Sequence, residues 1–290
     1  MKILVTGRHG QLALSLAERG GADVQLIGRP EIDLAVPGSA RTAILAKRPD
    51  LVVNAAAFTA VDLAEAEEAT AQRINADAAG ELAAAACELG VPIIHLSTDY
   101  VFDGRATAPY AETAATNPLG AYGRTKLAGE EAVRAANPDH LILRTSWLVS
   151  PFGSNFVRTM VDLGRSRDSL SVVGDQFGNP TSALDLTDAI LIVARRWAAG
   201  DRTGLGQTYH LAGTGIASWY DLAVAVQQEA KTGATVAPIA TADWPTPAAR
   251  PAYSALDSSK FARDFGHDMP DWRASLGPIV RRLTGTDLPA

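Results

Sequence analysis

The sequence predicts an α/β protein with a doubly wound parallel sheet and a smaller C-terminal substrate-binding lobe. Three observations favour this fold class: short apolar runs, segments of helical length between them, and a glycine-containing turn after the first run. Strands covered by helices on both faces are apolar throughout, and strand–helix–strand alternation gives a parallel sheet with right-handed crossovers. The predicted strands of the first half are Ile3–Val5, Val24–Ile27, Leu51–Asn54, Val91–Leu96 and Leu141–Leu143.

The clearest helical segment runs from Asp62 to Leu89. Its first turns carry four carboxylates, which suit the positive end of a helix dipole. The segment continues rich in alanine, a strong helix former, and stops at Gly90. The sequence therefore predicts helix over residues 62–89.

The pattern changes after Trp147, where glycine and proline separate short segments. A helix is predicted again over Asp185–Ala199, and the apolar run Tyr209–Ala212 predicts a further strand of the sheet. We therefore predict one domain over residues 1–150, to which the chain returns over about 183–212, and a smaller substrate-binding lobe over residues 151–290. Four tryptophans are expected to pack this lobe: Trp197, Trp219, Trp244 and Trp272.

Composition excludes several classes of function. Hydrophobic residues make up 47% and charged residues 20% of the chain, which excludes a mostly disordered protein. The net charge of −6 argues against nucleic acid or an anionic membrane as partner. Cys87 is the only cysteine, and no apolar run reaches the roughly 18 residues of a membrane span. Met1–Gly7 is typical of a strand entering a turn rather than of a secretion signal, so we expect a cytoplasmic protein.

The turn Thr6–Ala13 is the first candidate binding motif. Gly7 and Gly10 let the backbone turn tightly and approach a pyrophosphate, whose charge the N-terminus of the following helix stabilises. Ala13 stands at the usual third glycine and is small enough for close helix packing. A strand before the turn and a helix after it favour a dinucleotide site of the Rossmann type over a plain structural turn.

The end of the second predicted strand bears on the choice of cofactor. Arg29 stands where an acid would bind the ribose hydroxyls of NAD, and an arginine there can contact a 2′-phosphate. Arg8 in the glycine turn could help. The sequence therefore favours NADPH and leaves NADH open.

Tyr122 and Lys126 form the candidate catalytic pair. Four residues apart, they share one face of a helix. A nearby ammonium favours the phenolate form of a tyrosine, and such a tyrosine can donate its proton to a carbonyl oxygen as hydride arrives. Thr98, at the end of the fourth strand, can hold the same oxygen. The three side chains together predict a reductase.

With these motifs the chain resembles the extended short-chain dehydrogenase/reductase family, in particular its reductases of 4-keto sugar nucleotides. The resemblance runs over nearly the whole chain. It is carried by Gly10–Leu12, Asn54–Asp62, Ser97–Phe102, Tyr122–Glu130, Arg144–Trp147, Asn155–Phe156, Asp175–Thr181 and Arg250–Pro251.

The resemblance implies hydride transfer from NADPH to the 4-keto group of a dTDP-linked deoxysugar. It implies that Thr98, Tyr122 and Lys126 are catalytic. Further residues are implied to line the cofactor: Gly10, Gln11, Leu12, Asp33, Leu34, Ala56, Ala57 and Thr59. Others are implied to face the sugar nucleotide, with the last on its diphosphate: Thr98, Asp99, Tyr100, Tyr122, Trp147 and Arg250.

Two features depart from the family's pattern. Phe58 stands at a position that is often His or Tyr, which changes a polar edge near the cofactor. Some relatives bind magnesium at a dimer interface through a glutamate near the C-terminus, and residues 284–290 contain no glutamate. We therefore expect no metal and leave a monomer and a homodimer both open.

Other activities occur on the same scaffold besides reduction. The 4,6-dehydratases follow their threonine with Asp-Glu, whereas Tyr100 follows Asp99 here, which excludes that elimination. An epimerase that recycles its nicotinamide stays open, as does a reductase of another dTDP-4-keto-deoxysugar. So does a non-catalytic subunit resembling the regulatory subunit of methionine adenosyltransferase, although the intact catalytic residues favour an enzyme.

Overall fold

The computed structural model describes residues 1–285. Within them the chain forms the strands β1 (Ile3–Thr6), β2 (Val24–Ile27), β3 (Leu51–Asn54), β4 (Ile93–Thr98), β5 (His140–Thr145), β6 (Leu148–Val149), β7 (Ser169–Val173), β8 (Phe177–Gly178), β9 (Thr181–Ser182), β10 (Gln207–His210), β11 (Ala217–Ser218) and β12 (Thr235–Ile239).

Six of these strands form a parallel central sheet in the order β2-β1-β3-β4-β5-β10, which confirms the predicted doubly wound fold. The chain leaves β1 towards β2 on one side and returns to β3 on the other. Thr6 pairs with Ile27 and with Asn54, so the carboxyl ends of β1, β2 and β3 lie level. The ends of β1 and β3 therefore form the switch point at which open α/β sheets bind ligands.

Helices cover both faces of the sheet. In chain order the helices within residues 1–285 are α1 (Gln11–Gly20), α2 (Ser39–Lys47), α3 (Val61–Ala66), α4 (Glu68–Gln72), α5 (Ala78–Glu88), α6 (Ala121–Ala136), α7 (Phe156–Ser166), α8 (Ala183–Ala198), α9 (Trp219–Ala230), α10 (Ser259–Phe265) and α11 (Trp272–Thr284). Apolar side chains of α2, α5 and α6 pack on one face with Leu4 and Val52, and those of α1, α8 and α10 pack on the other with Val5 and Val53. Across residues 1–285, no helix has the length and apolar character needed to cross a membrane.

The predicted single helix over residues 62–89 is wrong, because this stretch is broken. Helices α3 and α4 meet at Glu67, which leaves helical geometry at φ −120° and ψ 40°. A π-helical turn, Arg73–Asp77, then leads into α5. In this turn the Asn75 amide donates to the Phe58 carbonyl (3.2 Å) and to Thr125 Oγ1 (3.0 Å) of α6. These contacts with distant segments offset the irregular backbone, and hydrophobic periodicity does not reveal them.

The chain returns to the first core late in the sequence. Helix α8 packs on α1, and β10 adds to the sheet beside β5. Helix α10 also packs there, with Phe261 and Phe265 buried against Tyr209 of β10. Strand β4 extends two residues beyond the prediction, so Ser97 and Thr98 belong to the sheet itself.

The second lobe has its own apolar core between α7, α9 and α11 and the β7–β12 pair. Trp272 is buried in it as expected. The expectation that Trp244 packs this lobe is wrong, because 61% of that residue is exposed. Trp197 packs instead on the first core, and its indole donates to the Thr203 carbonyl (2.9 Å).

We expect Phe261→Ala to destabilise the first core. The ring is fully buried, so its removal leaves a cavity and should lower the free energy of unfolding by about 3–5 kcal/mol. Leu63→Ala, at a side chain 46% exposed on α3, is the control and should change it by less than about 0.5 kcal/mol. Denaturant unfolding of both variants measures this. A loss of less than about 1 kcal/mol for Phe261→Ala would mean that α10 does not belong to the core.

Candidate active site

A cavity of about 420 Å³ opens at the carboxyl edge of the sheet, next to the ends of β1 and β3. The structure brings twelve residues singled out from the sequence into its lining: Gly10, Gln11, Leu12, Ala56, Ala57, Thr59, Thr98, Asp99, Tyr100, Tyr122, Lys126 and Trp147. The lining leaves out five others: Gly7, Arg29, Asp33, Leu34 and Arg250.

The glycine turn forms one end of this cavity. Gly7 has φ +98°, a left-handed conformation that glycine adopts without strain, and it follows β1 directly. Gly10 caps α1 without a side-chain hydrogen bond, and the first turn of α1 carries no acid. A Cβ placed on Gly10 would meet no atom within 4 Å. An open helix N-terminus of this kind fits the diphosphate of a dinucleotide.

The Gln11 side chain joins this turn to the chain after β5. Its amide donates to the Leu148 carbonyl (3.1 Å), and its oxygen accepts from the Ser150 hydroxyl (2.8 Å). Gln11 therefore fixes the floor of the cavity in this structure rather than presenting a free amide to a cofactor.

The end of β2 lies beyond the cavity, at the outer edge of the sheet. There Arg8 donates two hydrogen bonds to the Glu31 carboxylate, at 2.8 and 2.7 Å. The Asp33 carboxylate accepts from the Ala35 backbone (3.0 Å), and Leu34 is buried against α2 and α5. Glu31 was not singled out from the sequence, although an acid three residues after Gly28 was visible there.

Helix α6 carries Tyr122 and Lys126 close to the end of β4. Gly123 permits this approach, because a Cβ at that position would lie 2.2 Å from the Tyr100 carbonyl oxygen. The Thr98 hydroxyl donates to Asp99 Oδ1 (3.0 Å) and accepts from the Tyr100 backbone (3.2 Å). It also acts on the nearby phenol of Tyr122, whose pKa it lowers. The predicted trio thus lies together in one wall of the cavity.

Burial controls the charge of this pair. It raises the pKa of Tyr122 to about 12, an effect that the charge of Asp99 adds to and the Thr98 hydroxyl opposes. It lowers the pKa of Lys126 to about 8, against the charge of Glu130. The expected depression of the phenol pKa by the ammonium is wrong, because Lys126 Nζ donates to the Leu96 carbonyl (2.5 Å). Tyr122 is therefore a neutral phenol near pH 7, the form that can donate a proton.

Two buried polar atoms beside this trio have no hydrogen-bond partner within residues 1–285: Asp99 Oδ2 and Thr145 Oγ1. Both residues line the cavity, and Thr145 pairs with Thr98 across β4 and β5. Burial raises the pKa of Asp99 to about 6. Since an unpaired buried polar atom costs about 1–3 kcal/mol, these atoms suit a ligand with hydroxyl or amide groups. The sequence showed Thr145 in a shared segment but gave no sign of its open hydroxyl.

Trp147 and Trp219 form an aromatic wall at the lobe side of the cavity. Their rings stack at a centroid distance of 3.5 Å and an interplanar angle of 3°. Trp147 has φ +43°, a rare conformation for a non-glycine residue. Trp219, the first residue of α9, was expected only to pack the lobe, and the sequence gave no signal that it reaches the site.

A second cavity of about 540 Å³ lies in the lobe and shares Trp219 with the first. Arg250 lines it. Its guanidinium donates to both oxygens of Asp62 on α3, at 3.0 and 2.8 Å, and to the Ala248 carbonyl (3.1 Å). Arg250 thus joins the lobe to the first domain at the mouth of this cavity.

Phe58 packs against Tyr122 and the small side chains of α3, α4 and α6. Its backbone N–H donates to Asn75 Oδ1 (2.8 Å). The position where relatives often have His or Tyr is therefore apolar here. Among residues 1–285, no group of three or more His, Cys, Asp or Glu side chains could hold a metal ion. Residues 286–290, which form most of the C-terminal segment that contains no glutamate, lie outside the described residues.

A glycine turn before an open helix N-terminus, with a Tyr–Lys pair facing a strand-end threonine, defines a nicotinamide-dependent reductase of the short-chain class. The chain matches the family model described as RmlD substrate binding domain over residues 1–284, and it belongs to that family. This confirms the resemblance stated from the sequence.

Several similar proteins share one name. A relative from Sinorhizobium fredii named dTDP-4-dehydrorhamnose reductase is 46% identical over 289 residues, covering 98% of both chains. A crystal structure of a dTDP-4-dehydrorhamnose reductase from Clostridium acetobutylicum has a TM-score of 0.90 and 39% identity, covering 98% of this chain and 99% of that one. The enzyme of that name from Bacillus anthracis, in complex with NADP, has a TM-score of 0.89 and 34% identity, covering 96% and 99%.

We expect Arg29→Asp to weaken NADPH binding by about ten-fold or more, because a charge-assisted contact to a 2′-phosphate is worth about 1.5–3 kcal/mol. NADH binding should change little. Arg165→Asp, which reverses an exposed charge on α7, is the matched control. Fluorescence titration with both cofactors measures the two affinities. If their ratio does not change, Arg29 does not contact the phosphate and Arg8 becomes the candidate.

Proposed function

We propose that this chain reduces the C4 keto group of dTDP-4-dehydro-L-rhamnose to give dTDP-L-rhamnose, using NADPH or NADH. The observation that carries the proposal is the position of Tyr122, Thr98 and Lys126 in one cavity with the open N-terminus of α1. The reductases of similar sequence and fold support the choice of substrate.

When bound, NADPH supplies the hydride. Tyr122, a neutral phenol at pH 7, donates its proton to the O4 oxygen as negative charge develops there. The Thr98 hydroxyl, now turned to Asp99, can rotate to donate to the same oxygen. Lys126, charged below about pH 8, provides a positive charge next to the phenol and hydrogen-bond donors for a ribose.

The sugar would lie beside Trp147, between the trio and the lobe. Asp99 Oδ2 is placed to accept a hydrogen bond from a sugar hydroxyl, and Thr145 Oγ1 to bond a hydroxyl or the carboxamide of the cofactor. The flat Trp147–Trp219 stack offers an apolar wall to the ring and its methyl group.

The nucleotide would occupy the lobe cavity, which shares Trp219 with the first cavity. Its apolar floor includes Leu170 and Val172 of β7, and Trp244 lies at its rim. Arg250 lines the lobe cavity, and its planar guanidinium suits phosphate oxygens.

The alternatives differ in what they consume. A reductase consumes one NADPH for each sugar reduced, an epimerase recycles its nicotinamide, and a regulatory subunit consumes none. An assay of the purified protein with NADPH and the enzymatically prepared 4-keto-rhamnose nucleotide separates these three alternatives. A faster reaction with another dTDP-4-keto-deoxysugar would replace the substrate named here and keep the mechanism.

The proposal also covers the setting of the enzyme. A single cysteine suits a reducing compartment, so we place the reaction in the cytoplasm. A monomer and a homodimer both stay open. The oligomeric state can be measured by light scattering.

We expect Tyr122→Phe to lower turnover by about 10²–10⁴, the contribution of a positioned proton donor. NADPH binding should hardly change, because the ring is retained and only the hydroxyl is lost. Steady-state kinetics and a cofactor titration measure the two effects. If more than about a tenth of turnover remains, another acid protonates the substrate.

We expect Arg250→Ala to raise the KM for the sugar nucleotide by about 10- to 100-fold, the equivalent of about 1.5–3 kcal/mol. Arg250→Lys should raise it less, because it keeps the charge and loses the two-pronged contact. Asp62→Asn is the control: it removes the ion pair and leaves the guanidinium free. If Asp62→Asn and Arg250→Ala raise KM equally, the arginine acts only by joining the two domains.

A further inference from the structure

A buried carboxylate, Glu130, lies directly behind the proposed catalytic pair. Glu130 follows Lys126 by one turn and Tyr122 by two turns of α6, so the three share one face of the helix. None of its surface is exposed. Burying a carboxylate is costly unless it is paired and hydrogen bonded, and here every partner lies on an element that carries the site.

Glu130 binds the two strands beside α6. Oε1 accepts from the Ser97 hydroxyl (2.6 Å), and Ser97 immediately precedes Thr98 on β4. Oε1 and Oε2 accept from the buried Arg144 guanidinium, both at 2.8 Å, and Arg144 immediately precedes Thr145 on β5. One carboxylate of α6 is therefore bonded to both strands, β4 and β5, whose ends reach the cavity.

Glu130 has a third partner, Arg134, which is partly exposed at the surface. Arg134, one turn further along α6, donates to Oε2 (2.7 Å) and to Thr208 of β10 (3.1 Å). Arg144 also lies over the ring of Phe102, 5.3 Å from its centroid. Glu130 is thus bonded from α6, β4 and β5, and its negative charge is held in place beside Lys126.

We propose that Glu130 is a positioning residue, which fixes Lys126 and Tyr122 opposite Thr98 and supplies the negative charge that keeps the buried Lys126 an ammonium ion. The inference rests on the proposed roles of Tyr122 and Lys126. It adds a residue that touches neither cofactor nor substrate and acts through Lys126.

The charges around Lys126 give the sign of the effect. Burial lowers the pKa of Lys126 to about 8, and Glu130 opposes that shift. Burial, with the charge of Lys126 and others, holds the pKa of His95 on β4 well below its ordinary value, so this histidine is neutral. Asp99 follows β4, Arg144 and His140 lie on β5, and Arg134 lies on α6. Since the ammonium is lost as pH rises through the pKa, removing the Glu130 charge should move that loss to lower pH.

The test compares Glu130→Gln with Glu68→Gln. Glu68 also forms a two-pronged pair with an arginine of α6, Arg124, at 3.0 and 3.1 Å, but on the exposed face. We expect the high-pH limb of the kcat profile to move down by about half a pH unit or more in Glu130→Gln and not in Glu68→Gln. A lower kcat at every pH with an unmoved limb would overturn the proposal, because that is the effect of a loosened fold.

A second variant covers loss of folding. Glu130→Gln leaves Arg144 buried without its charge partner, which destabilises the fold. The double variant Glu130→Gln/Arg144→Gln removes both charges and keeps two amides that can bond each other. Because the lost Arg144 charge is positive and lies against Glu130, its removal opposes the effect of losing the carboxylate, so the limb should lie between those of the wild type and Glu130→Gln. A limb below that of Glu130→Gln would overturn the proposal.

A readout without turnover separates this inference from the proposed function. The chain has five lysines, Lys2, Lys47, Lys126, Lys231 and Lys260, so NMR of lysine labelled at Nζ can follow Lys126, assigned with Lys126→Met. We expect its titration midpoint to fall in Glu130→Gln and to stay in Glu68→Gln. If the wild-type protein does not reduce the sugar nucleotide, the proposed function fails, and this titration still decides the role of Glu130. An unchanged midpoint overturns it.

Discussion

The close packing of α6 against β4 is the constraint on which the rest of the site depends. Gly123 lies against the Tyr100 carbonyl with no room for a side chain, and Lys126 bonds the Leu96 carbonyl. This contact buries Lys126 and partly buries Tyr122, and burial shifts both of their pKa values. It also brings Tyr122 into the same cavity wall as Thr98. A wider separation of helix and strand would lose the burial and the alignment together.

The segment before α6 holds that helix from its other end. Glu65 of α3 accepts from the Ala121 backbone N–H (2.7 Å) at the start of α6, and Asn75 in the π-helical turn bonds Thr125. The breaks in the helical stretch 61–88 therefore allow both Glu65 and Asn75 to contact α6, which a straight helix would not. Asp62 of the same segment binds Arg250, so this region also connects the catalytic helix to the lobe.

The two lobes divide the work of binding by chemistry. The first domain offers backbone N–H groups and the open N-terminus of α1, which suit phosphate charge and carry little preference for one sugar. The second lobe contributes side chains: Trp219 against Trp147, and the apolar floor of the lobe cavity. Under the proposed function the lobe would therefore select the nucleotide, whereas the residues proposed to contact the sugar, Asp99, Thr145 and Trp147, and those of the reaction belong to the first domain.

The sequence alone determined the class of fold, the glycine turn and the Tyr122–Lys126 pair. These rest on apolar periodicity, on glycine, and on a four-residue spacing that any helix translates into one face. It could not determine that the Tyr122 pKa rises, that Arg250 is paired with Asp62, that Trp219 reaches the site, or that Thr145 and Asp99 keep open polar atoms. Each of these depends on contacts between residues far apart in the chain. Burial and pairing are properties of the packed structure, and only the tertiary fold decides them.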